Sequence, residues 1–302
     1  MKRNIFKWLK RGAIALICLI LAAIAAIYGI SSYQLNRSHP VTELPKLTLA
    51  NNPDVLARGG HIATSIGMCT ECHGGDLGGK VIADAGPLGI VAAPNLTSGK
   101  GGIGATYTND DWVRAIRHGV RRDGSSLLIM SSESFVHMTK EDLTAVISYL
   151  KQLTPVDRDV PKSHLRYLGR TLLVTGELDV LSAEKTPNLP LVKTINQKPS
   201  IEYGMYLATI GNCRGCHGAD LSGGEVHGPP GTPPAANLTP TGIGTWSEAD
   251  FVRTLRTGKR PNGKDLHPSM PWPQAALMTD DELHAIWLYM RSVPPKPIVD
   301  NS

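Results

Sequence analysis

The sequence contains two copies of one pentapeptide pattern, Cys69-Thr-Glu-Cys72-His73 and Cys213-Arg-Gly-Cys216-His217. Two thiols three positions apart can add to the two vinyl groups of one haem, and the adjacent imidazole can then bind the iron as its proximal ligand. We therefore predict two covalently bound haem c groups. The predicted ligands are the thioether-forming Cys69, Cys72, Cys213 and Cys216, and the iron-binding His73 and His217.

Zinc binding and thiol–disulfide chemistry are the alternatives, since both also use Cys-x-x-Cys. Histidine follows the second cysteine both times, although the chain has only 10 His in 302 residues. A zinc ribbon separates its two cysteine pairs by roughly 15–20 residues, whereas 144 positions separate Cys69 from Cys213. The fifth cysteine, Cys18, stands in an apolar run and is interpreted as a small hydrophobic residue. The pattern therefore favours covalent haem.

The two motifs lie in two copies of one longer pattern. A glycine precedes each motif at an equivalent position, Gly60 and Gly204, at an offset of 144. Further segments recur after the motifs in the same order: Asn95-Leu-Thr97 with Asn237-Leu-Thr239, and Gly102-Ile-Gly104 with Gly242-Ile-Gly244. We predict two similar domains, one at residues 54–155 and one at residues 200–297.

Helix boundary signals also recur in both copies. Thr108 and Ser247 each precede an aspartate by three residues, which predicts capped helices. Glycines are expected to end the first two helices of each copy, at Gly67, Gly119, Gly211 and Gly258. The last helices begin at Thr139 and Thr279, and a following proline stops each of them. With long Gly/Pro loops and little strand pattern, this predicts an all-α fold in which haem fills the centre of each small core.

Two segments connect these parts. Residues 36–53 are predicted to link the N-terminal segment to the first copy. Residues 156–199 are predicted to join the copies, with one amphipathic helix from His164 to Val174 and an extended, proline-containing stretch after it.

Residues 1–35 are predicted to be an N-terminal membrane anchor. Five basic residues precede an apolar run from Gly12 to Ile30 that has 19 residues and no charge. A signal-peptide core is usually about 7–15 residues long and a spanning helix roughly 20, so a retained anchor is favoured over a cleaved signal peptide. The basic flank predicts that the N-terminus stays in the cytoplasm and that the rest is exported.

The net charge of +5 comes from this N-terminal segment. The first 35 residues hold five Lys or Arg and no acid, so the remainder carries 26 basic and 26 acidic residues. The alkaline pI therefore reflects membrane topology, and no nucleic-acid partner is expected.

The ligand on the far side of each iron separates an electron carrier from a catalyst. Methionine recurs at two matched places with an offset of 140. Met138 and Met278 precede the N-cap threonines of the last helices and are interpreted as packing residues. Met130 and Met270 lie in loops that can cover a haem face, so we predict that they are the distal ligands, with core packing as the alternative.

Other side chains compete for these roles. The competing histidines are His118, His137, His227, His267 and His284, each more often a solvated or satisfied side chain than a ligand. Four arginines on the capped helices are expected to meet haem propionates or a partner, or else to be solvated: Arg114, Arg117, Arg253 and Arg256.

The two Cys-x-x-Cys-His motifs, the Asn-Leu-Thr and Gly-Ile-Gly segments and the late methionines resemble class I c-type cytochromes. More closely, the chain resembles the cytochrome c subunits of membrane-bound bacterial alcohol and gluconate dehydrogenases, over about residues 50–155 and 200–297. The resemblance implies tandem all-helical cytochrome c domains, periplasmic electron transfer, and Met130 and Met270 as distal ligands. It also implies that the first and last helices of each domain cross, with Gly60 against Tyr149 and Gly204 against Tyr289.

The chain departs from that subunit family in three ways. The family typically has three haem motifs and this chain has two, and the family's anchor is usually at the other end. A Met-Pro pair survives in Met270-Pro271 but not in Met130-Ser131.

We therefore expect a single-pass protein of the bacterial inner membrane with two haem domains in the periplasm. It would carry single electrons from a dehydrogenase subunit or other donor to a respiratory acceptor, such as a terminal oxidase or a quinol-oxidising complex, and would not itself be an enzyme. The alternatives are a dihaem peroxidase or oxidase with one displaceable haem ligand, and a gas sensor in which a ligand replaces Met130.

Overall fold

The computed structural model describes residues 2–41, 43–192, 194–226 and 231–297, and within this part the chain is mostly helical. The competing His227 lies outside the described residues. The α-helices are α1 (Lys2–Asn36), α2 (Pro53–His61), α3 (Cys69–His73), α4 (Asn109–His118), α5 (Ser132–Phe135), α6 (Lys140–Leu150), α7 (Tyr167–Thr175), α8 (Ser182–Lys185), α9 (Ile201–Ile210), α10 (Cys213–His217), α11 (Pro240–Ile243), α12 (Glu248–Thr257), α13 (Trp272–Ala275) and α14 (Asp280–Ser292).

The duplication predicted from the sequence appears as five matched pairs of helices: α2 with α9, α3 with α10, α4 with α12, α5 with α13, and α6 with α14. The predicted caps are present. Thr108 and Ser247 each form a capping box with the aspartate three residues on, and Gly119 and Gly258 end those helices at φ +65° and +70°. Local sequence signals thus set the helix boundaries in both copies.

The first and last helices of each copy cross at a glycine. A methyl group at Gly204 would overlap the carbonyl oxygen of Ala285, and a methyl group at Gly59 would overlap that of Ala145. Gly60, which the sequence offset pairs with Gly204, lies instead against the edge of the Tyr149 ring. The predicted contact of Gly60 with Tyr149 is therefore present, but Gly59 is the true counterpart of Gly204.

The one-residue difference has a physical cause. In the first copy α2 continues into a π-helical turn, Ile62–Ile66, in which the Gly67 N–H donates to the carbonyl of Ile62 at 2.7 Å. The matching bond in the second copy, from Gly211 to Leu207 at 2.8 Å, has ordinary α-helical spacing. The π turn absorbs one extra residue, so the glycine pairing shifts by one position upstream of it.

A small sheet in the first copy was not predicted. Strands β1 (Lys80–Asp84), β2 (Gly89–Ala93) and β3 (His164–Leu165) form an antiparallel sheet in the order β1-β2-β3. Lys80 pairs with Ala93, and Ile90 pairs with both Asp84 and His164. Every residue of β1 is exposed, so the strand lacks the alternation of apolar and polar residues that marks a half-buried strand.

The segment between the two copies contains the predicted helix, at α7. It begins at Tyr167 rather than at His164 because His164 and Leu165 pair with β2. Gly169 of α7 packs against the carbonyl of Leu88, between β1 and β2. A small second core lies here, formed by Leu165, Leu173, Val180 and Leu181 with Leu35 of α1 packed against it.

Helix α1 is long and apolar enough, over Phe6–Asn36, to cross a membrane by length and composition. Its last turns are fixed to α7. Arg170 donates to the hydroxyl oxygens of Ser31 and Ser32 at 2.9 and 3.0 Å, and its guanidinium lies 5.0 Å from the centre of the Tyr28 ring. The N-terminal helix is therefore attached to the first copy through the interdomain segment.

The two domains share one hydrophobic core, and a buried ionic cluster joins them. Arg58 donates to Asp142 of its own domain at 2.9 and 3.0 Å and to Glu282 of the other at 3.0 Å. The two carboxylates are 1% and 4% exposed. His61 lies 2.7 Å from Glu282, and the Tyr206 hydroxyl donates to Asp142 at 2.6 Å. The Arg58 guanidinium thus forms ion pairs with one carboxylate from each domain.

We predict that Gly59→Ala lowers the free energy of unfolding of the haem-loaded protein by about 1–3 kcal/mol, because the added methyl must displace a backbone carbonyl. Gly60→Ala is the matched control: its methyl would meet only the Tyr149 ring edge at 3.0 Å, and the ring can move. Urea midpoints followed by circular dichroism measure both. An equal decrease in the free energy of unfolding in the two variants would contradict the assignment of the helix crossing to Gly59.

We predict that acid loosens the contact between the domains. Burial raises the pKa of Glu282, but hydrogen bonds from His61 and Thr279 and the charge of Arg58 leave it lowered from 4.5. A carboxylate with a lowered pKa contributes stability that is present above pH 4.5 and is lost as the pH falls through its folded pKa. Glu282→Gln should therefore lower the neutral-pH urea midpoint and flatten its fall below pH 4.5.

The matched control for Glu282→Gln is Asp281→Asn, a change at an exposed neighbour. This control should keep the acid dependence of the parent protein. If the urea midpoint falls equally steeply below pH 4.5 in the parent protein and in Glu282→Gln, Glu282 does not cause the acid dependence.

Candidate functional site

Each Cys-x-x-Cys-His motif forms one short helix, α3 or α10. The residue before it, Met68 or Asn212, has left-handed φ values of 50° and 55° and turns the chain sharply out of the preceding helix. Residues three apart are neighbours on a helix, so this turn places the two thiols of a motif on one side. Both motifs therefore have the local geometry that two thioether bonds to one group require.

The motif histidines are buried and oriented. His73 and His217 are 8% and 9% exposed, and their Nδ1 atoms lie 2.9 Å from the carbonyl oxygen of Pro94 and 2.7 Å from that of Ala236. Nδ1 must donate to a carbonyl, which leaves Nε2 unprotonated and free to bind a metal. Burial lowers the pKa of both imidazoles. Each ring is thus held neutral, as an iron ligand has to be.

The recurrent Asn-Leu-Thr segments hold the carbonyls that orient these histidines. Asn95, directly after Pro94, accepts from the N–H and hydroxyl of Thr97 and donates to the carbonyl of Val156 at 2.6 Å. Asn237 makes the same bonds to Thr239 and donates to the carbonyl of Lys296 at 3.0 Å. Each asparagine ties the loop beneath the histidine to the chain that follows the last helix.

The thiols of the two motifs do not have the lowered pKa of redox-active cysteines. Burial, with a smaller effect of the partner cysteine, raises the pKa of Cys69 to about 12 and that of Cys213 to about 11. Reactive and metal-binding thiols instead have lowered pKa values. In the described ranges no group of three or more His, Cys, Asp or Glu side chains is placed to hold a metal ion. The raised thiol pKa values speak against the dithiol alternative.

The loops that carry Met130 and Met270 have the same backbone turn. The N–H two residues after each methionine donates back to the methionine carbonyl, at 2.8 Å in the first copy and 2.7 Å in the second. Ser131 has φ −76° and ψ 45°, and Pro271 has φ −77° and ψ 53°. The turn that follows each methionine is therefore the same with serine as with proline.

The two methionine loops have different supports. The N–H of Met130 donates to the hydroxyl of Ser182 at 2.8 Å, and that of Ile129 donates to the carbonyl of Val180 at 3.0 Å. The N–H of Met270 donates instead to the carbonyl of His267, within its own loop, at 2.9 Å. The interdomain segment thus completes the first site but not the second.

The helical arginines have structural roles. Arg117 donates to the carbonyls of Val136 and Leu189, and Arg256 to those of Ala276 and Met278. They fix the short helix that follows each methionine. The other two pair with the acids of their own capping boxes, Arg114 with Asp111 and Arg253 with Asp250. A propionate is not needed to explain these side chains, and Arg253, which is 53% exposed, fits the solvated alternative.

Most of the competing residues have ordinary positions, but the Nε2 atom of His118 is buried without a partner in the described part of the chain. Met138 and Met278 are 1% and 4% exposed in the core, which confirms packing. His267 bonds to Ser269 at 2.9 Å, and His284 bonds to Glu248 at 2.6 Å.

Trp112 is a candidate that the sequence reasoning missed. Its indole is 2% exposed, and its Nε1 donor is buried without a partner in the described part of the chain. A buried N–H usually has an acceptor, and a carboxylate of a bound haem would supply one. Phe251 occupies the matched place in the second copy. The signal in the sequence was this tryptophan on an otherwise matched helix.

The two sites lie next to each other across the domain interface. Ser134 of α5, just after the Met130 loop, donates to the side chain of Asn212, the residue before Cys213, at 2.9 Å. A methyl group at Gly211 would lie 3.3 Å from the carbonyl oxygen of Ile66. In the reciprocal contact α13 packs on the π-helical turn that precedes Cys69. Each attachment segment therefore touches the other domain.

Comparison with known proteins agrees with this geometry. A family model described as cytochrome c matches residues 57–154 and 201–294. The cytochrome subunit of fructose dehydrogenase from Gluconobacter japonicus is 28% identical over 281 residues, covering 86% of this chain and 56% of that protein. The cytochrome c subunit of alcohol dehydrogenase (quinone) from Gluconacetobacter polyoxogenes is 32% identical over 289 residues, covering 82% of this chain and 59% of that protein.

A third relative is a diheme cytochrome c-type protein from Cereibacter sphaeroides, 25% identical over 296 residues that cover 90% of this chain and 96% of that protein. The chain thus spans a little over half the length of the two dehydrogenase subunits and nearly all of the diheme protein. Each matched segment contains one Cys-x-x-Cys-His motif. The predicted tandem cytochrome c fold and the two covalently bound haem c groups are confirmed, while the boundaries 54–155 and 200–297 stay predictions.

We predict that Trp112→Phe shifts the midpoint potential of one haem only. If the indole N–H donates to a haem carboxylate, its loss increases the negative charge felt by the iron, which favours the ferric state and lowers the potential. The shift should be on the order of 20–50 mV, where 59 mV is a tenfold change in a one-electron equilibrium. A redox titration measures it, with Phe251→Tyr as the control at the matched place. Two unchanged midpoints would contradict this role.

Proposed function

This chain belongs to the cytochrome c family, and on that premise we propose that it is a membrane-anchored dihaem electron carrier in the periplasm of a bacterial inner membrane. It takes single electrons from a dehydrogenase subunit and passes them to a respiratory acceptor, such as a terminal oxidase or a quinol-oxidising complex. Substrate chemistry belongs to the partner. The support is the naming of its relatives as dehydrogenase cytochrome subunits, together with its long apolar N-terminal helix.

The observation that carries the proposal is the contact between the two attachment segments. Ser134 bonds to Asn212 at 2.9 Å, and a methyl group at Gly211 would lie 3.3 Å from the carbonyl oxygen of Ile66, a tight contact. A buried ionic cluster and a shared core keep this interface closed. An electron carrier with two redox groups needs them close together, and this contact between the attachment segments supports such an arrangement.

We assign the ligands as follows. Cys69, Cys72, Cys213 and Cys216 form the thioether bonds, His73 and Met130 bind one iron, and His217 and Met270 bind the other. A haem iron in these sites supplies reversible one-electron oxidation and reduction. The carbonyls of Pro94 and Ala236 hold the proximal imidazoles in the tautomer that binds iron. The thioether sulfurs of Met130 and Met270 would stabilise the ferrous state of each iron and so raise its reduction potential.

The potentials of the two sites are expected to differ. Ser182 and Val180, from the interdomain segment, hold the Met130 loop, whereas the Met270 loop is held by its own turn. The first copy also has Trp112 and the β1–β2 hairpin beside its motif. Different polar surroundings shift the potential of an iron site, which gives electrons a preferred direction.

The peroxidase alternative requires one site with a missing or weak distal ligand, and the first site was its best candidate. The matched turn at Ser131 and Pro271 supports the same distal ligand in both copies. We therefore retain methionine ligation for both irons and no peroxidase function.

We predict that Met270→Ala abolishes the thioether-to-iron charge-transfer band of one haem and lowers its potential by on the order of 100 mV, within the roughly 0.8 V that axial ligands can set. Met130→Ala should do the same for the other haem. Met278→Leu is the matched control: it changes a buried methionine of the core and should leave both bands in place. Persistence of both bands in Met270→Ala would refute this ligand assignment.

Spectroelectrochemical titration of the full chain in detergent tests the function itself. We expect two one-electron transitions with distinct midpoints and reversible oxidation without turnover of peroxide. One shared midpoint would contradict a directed relay. Rapid peroxide consumption by the purified chain alone would favour the enzyme alternative.

A further inference from the structure

Helix α7 lies beside the point where the apolar part of α1 ends. The uncharged apolar run of α1 finishes at Ile30, and Arg170 of α7 contacts Tyr28, Ser31 and Ser32 around that point. Leu35, one turn further along α1, packs against the small core that includes Leu173 of α7. Helix α7 is therefore fixed at one level along α1, and α1 determines how far α7 lies from the bilayer.

That level is the outer membrane–water interface if α1 spans the membrane, as the proposed function requires. The 19-residue run from Gly12 to Ile30 has a length of about 28 Å, close to the roughly 30 Å of a hydrocarbon core. Tyr28 is then about 3 Å inside the outer boundary. The polar headgroup layer beyond that boundary is roughly 5–7 Å thick. The Arg170 side chain, which contacts Tyr28, Ser31 and Ser32, therefore lies at this depth.

The free face of α7 has the chemistry of that layer. Tyr167, one turn before Arg170, is 61% exposed, and Leu168 is 39% exposed. Thr171 and Thr175 follow them along the helix. Tyrosine is enriched at membrane–water interfaces, where its ring lies among headgroups. Tyr167 and Leu168 are thus two large side chains exposed close to the predicted membrane anchor.

The charge of this segment matches a lipid surface. Between Val160 and Gly176 the sequence has three basic residues, Lys162, Arg166 and Arg170, and no acid. Lys162 is exposed, and Arg166 is 41% exposed beside Asp84. The opposite face of α7 is occupied by protein, since Gly169 packs on Leu88 and Leu173 lies in the small core. One face thus packs on protein, and the other presents an aromatic and an aliphatic side chain, with Lys162 exposed just before the helix.

We propose that α7 is an interfacial helix whose Tyr167 and Leu168 insert into the outer leaflet of the bilayer that α1 spans, while the basic residues of this segment contact lipid phosphates. The first haem domain is then held against the membrane in one orientation. Loops at α7 connect directly to the Met130 loop through Val180 and Ser182. The membrane contact therefore positions the first site and not only the anchor.

The test places a nitroxide label at Tyr167→Cys in the full chain, with Cys18→Ser to remove the free thiol, in nanodiscs of phosphatidylcholine and phosphatidylglycerol with the haems reduced. Thr171→Cys labels the same face. The control is Ile201→Cys, on α9 of the second domain, which is 52% exposed. For a side chain roughly 5–10 Å deep, the ratio of collisions with oxygen to collisions with a soluble nickel chelate should be several-fold higher than at position 201.

Equal ratios at positions 167, 171 and 201 would overturn the proposal. Protection that appears only in native membranes, and not in pure-lipid discs, would overturn it too and would assign the face to a protein partner. A redox titration of the same discs tests the electron carrier separately from the membrane contact. Two unchanged midpoints together with a solvent-accessible label at position 167 would overturn the membrane contact alone. If the protein elutes separately from the nanodiscs, both the membrane anchor and the α7 contact are wrong.

Discussion

Each haem domain is organised around one hydrogen bond, from the Nδ1 atom of the motif histidine to a backbone carbonyl at 2.9 Å in the first copy and 2.7 Å in the second. The bond fixes the tautomer and aims the other ring nitrogen at the iron. The carbonyl must itself be held, and Asn95 or Asn237 holds it by tying its loop to the chain beyond the last helix. The same asparagine therefore holds the chain after the last helix in place and orients the iron-binding histidine.

The same constraint explains the glycine-rich loops. Gly79 and Gly223, with φ +80° and +84°, pass so close to the backbone before each asparagine that no side chain fits there. The Gly-Ile-Gly segments approach the Asn-Leu-Thr segments just as closely; a methyl group at Gly102 would overlap the carbonyl of Thr97, and one at Gly242 that of Asn237. These glycines permit the carbonyl to reach the histidine, and they recur in both copies for that reason.

Local patterns were enough to predict most of the fold and the cofactor. Capping residues such as Thr108, and the cysteine motifs, act within a few residues, so their meaning can be read without a structure. The hairpin was missed because β1 has no buried face. The pairing of Gly204 with Gly59 rather than Gly60 depends on a π-helical turn that no spacing rule predicts. The ionic cluster around Arg58 joins residues 84 and 224 positions apart, which only tertiary structure brings together.

The hydroxyl of Ser182 that supports the Met130 loop comes from outside the first repeat. The second repeat needs no such help, because His267 lies within its own loop. The two copies are therefore unequal as modules. In the described part of the chain the Met270 N–H is held within its own loop, whereas the Met130 N–H is held by the interdomain segment. The first repeat therefore cannot be cut at its own boundary without removing part of the support of its methionine loop.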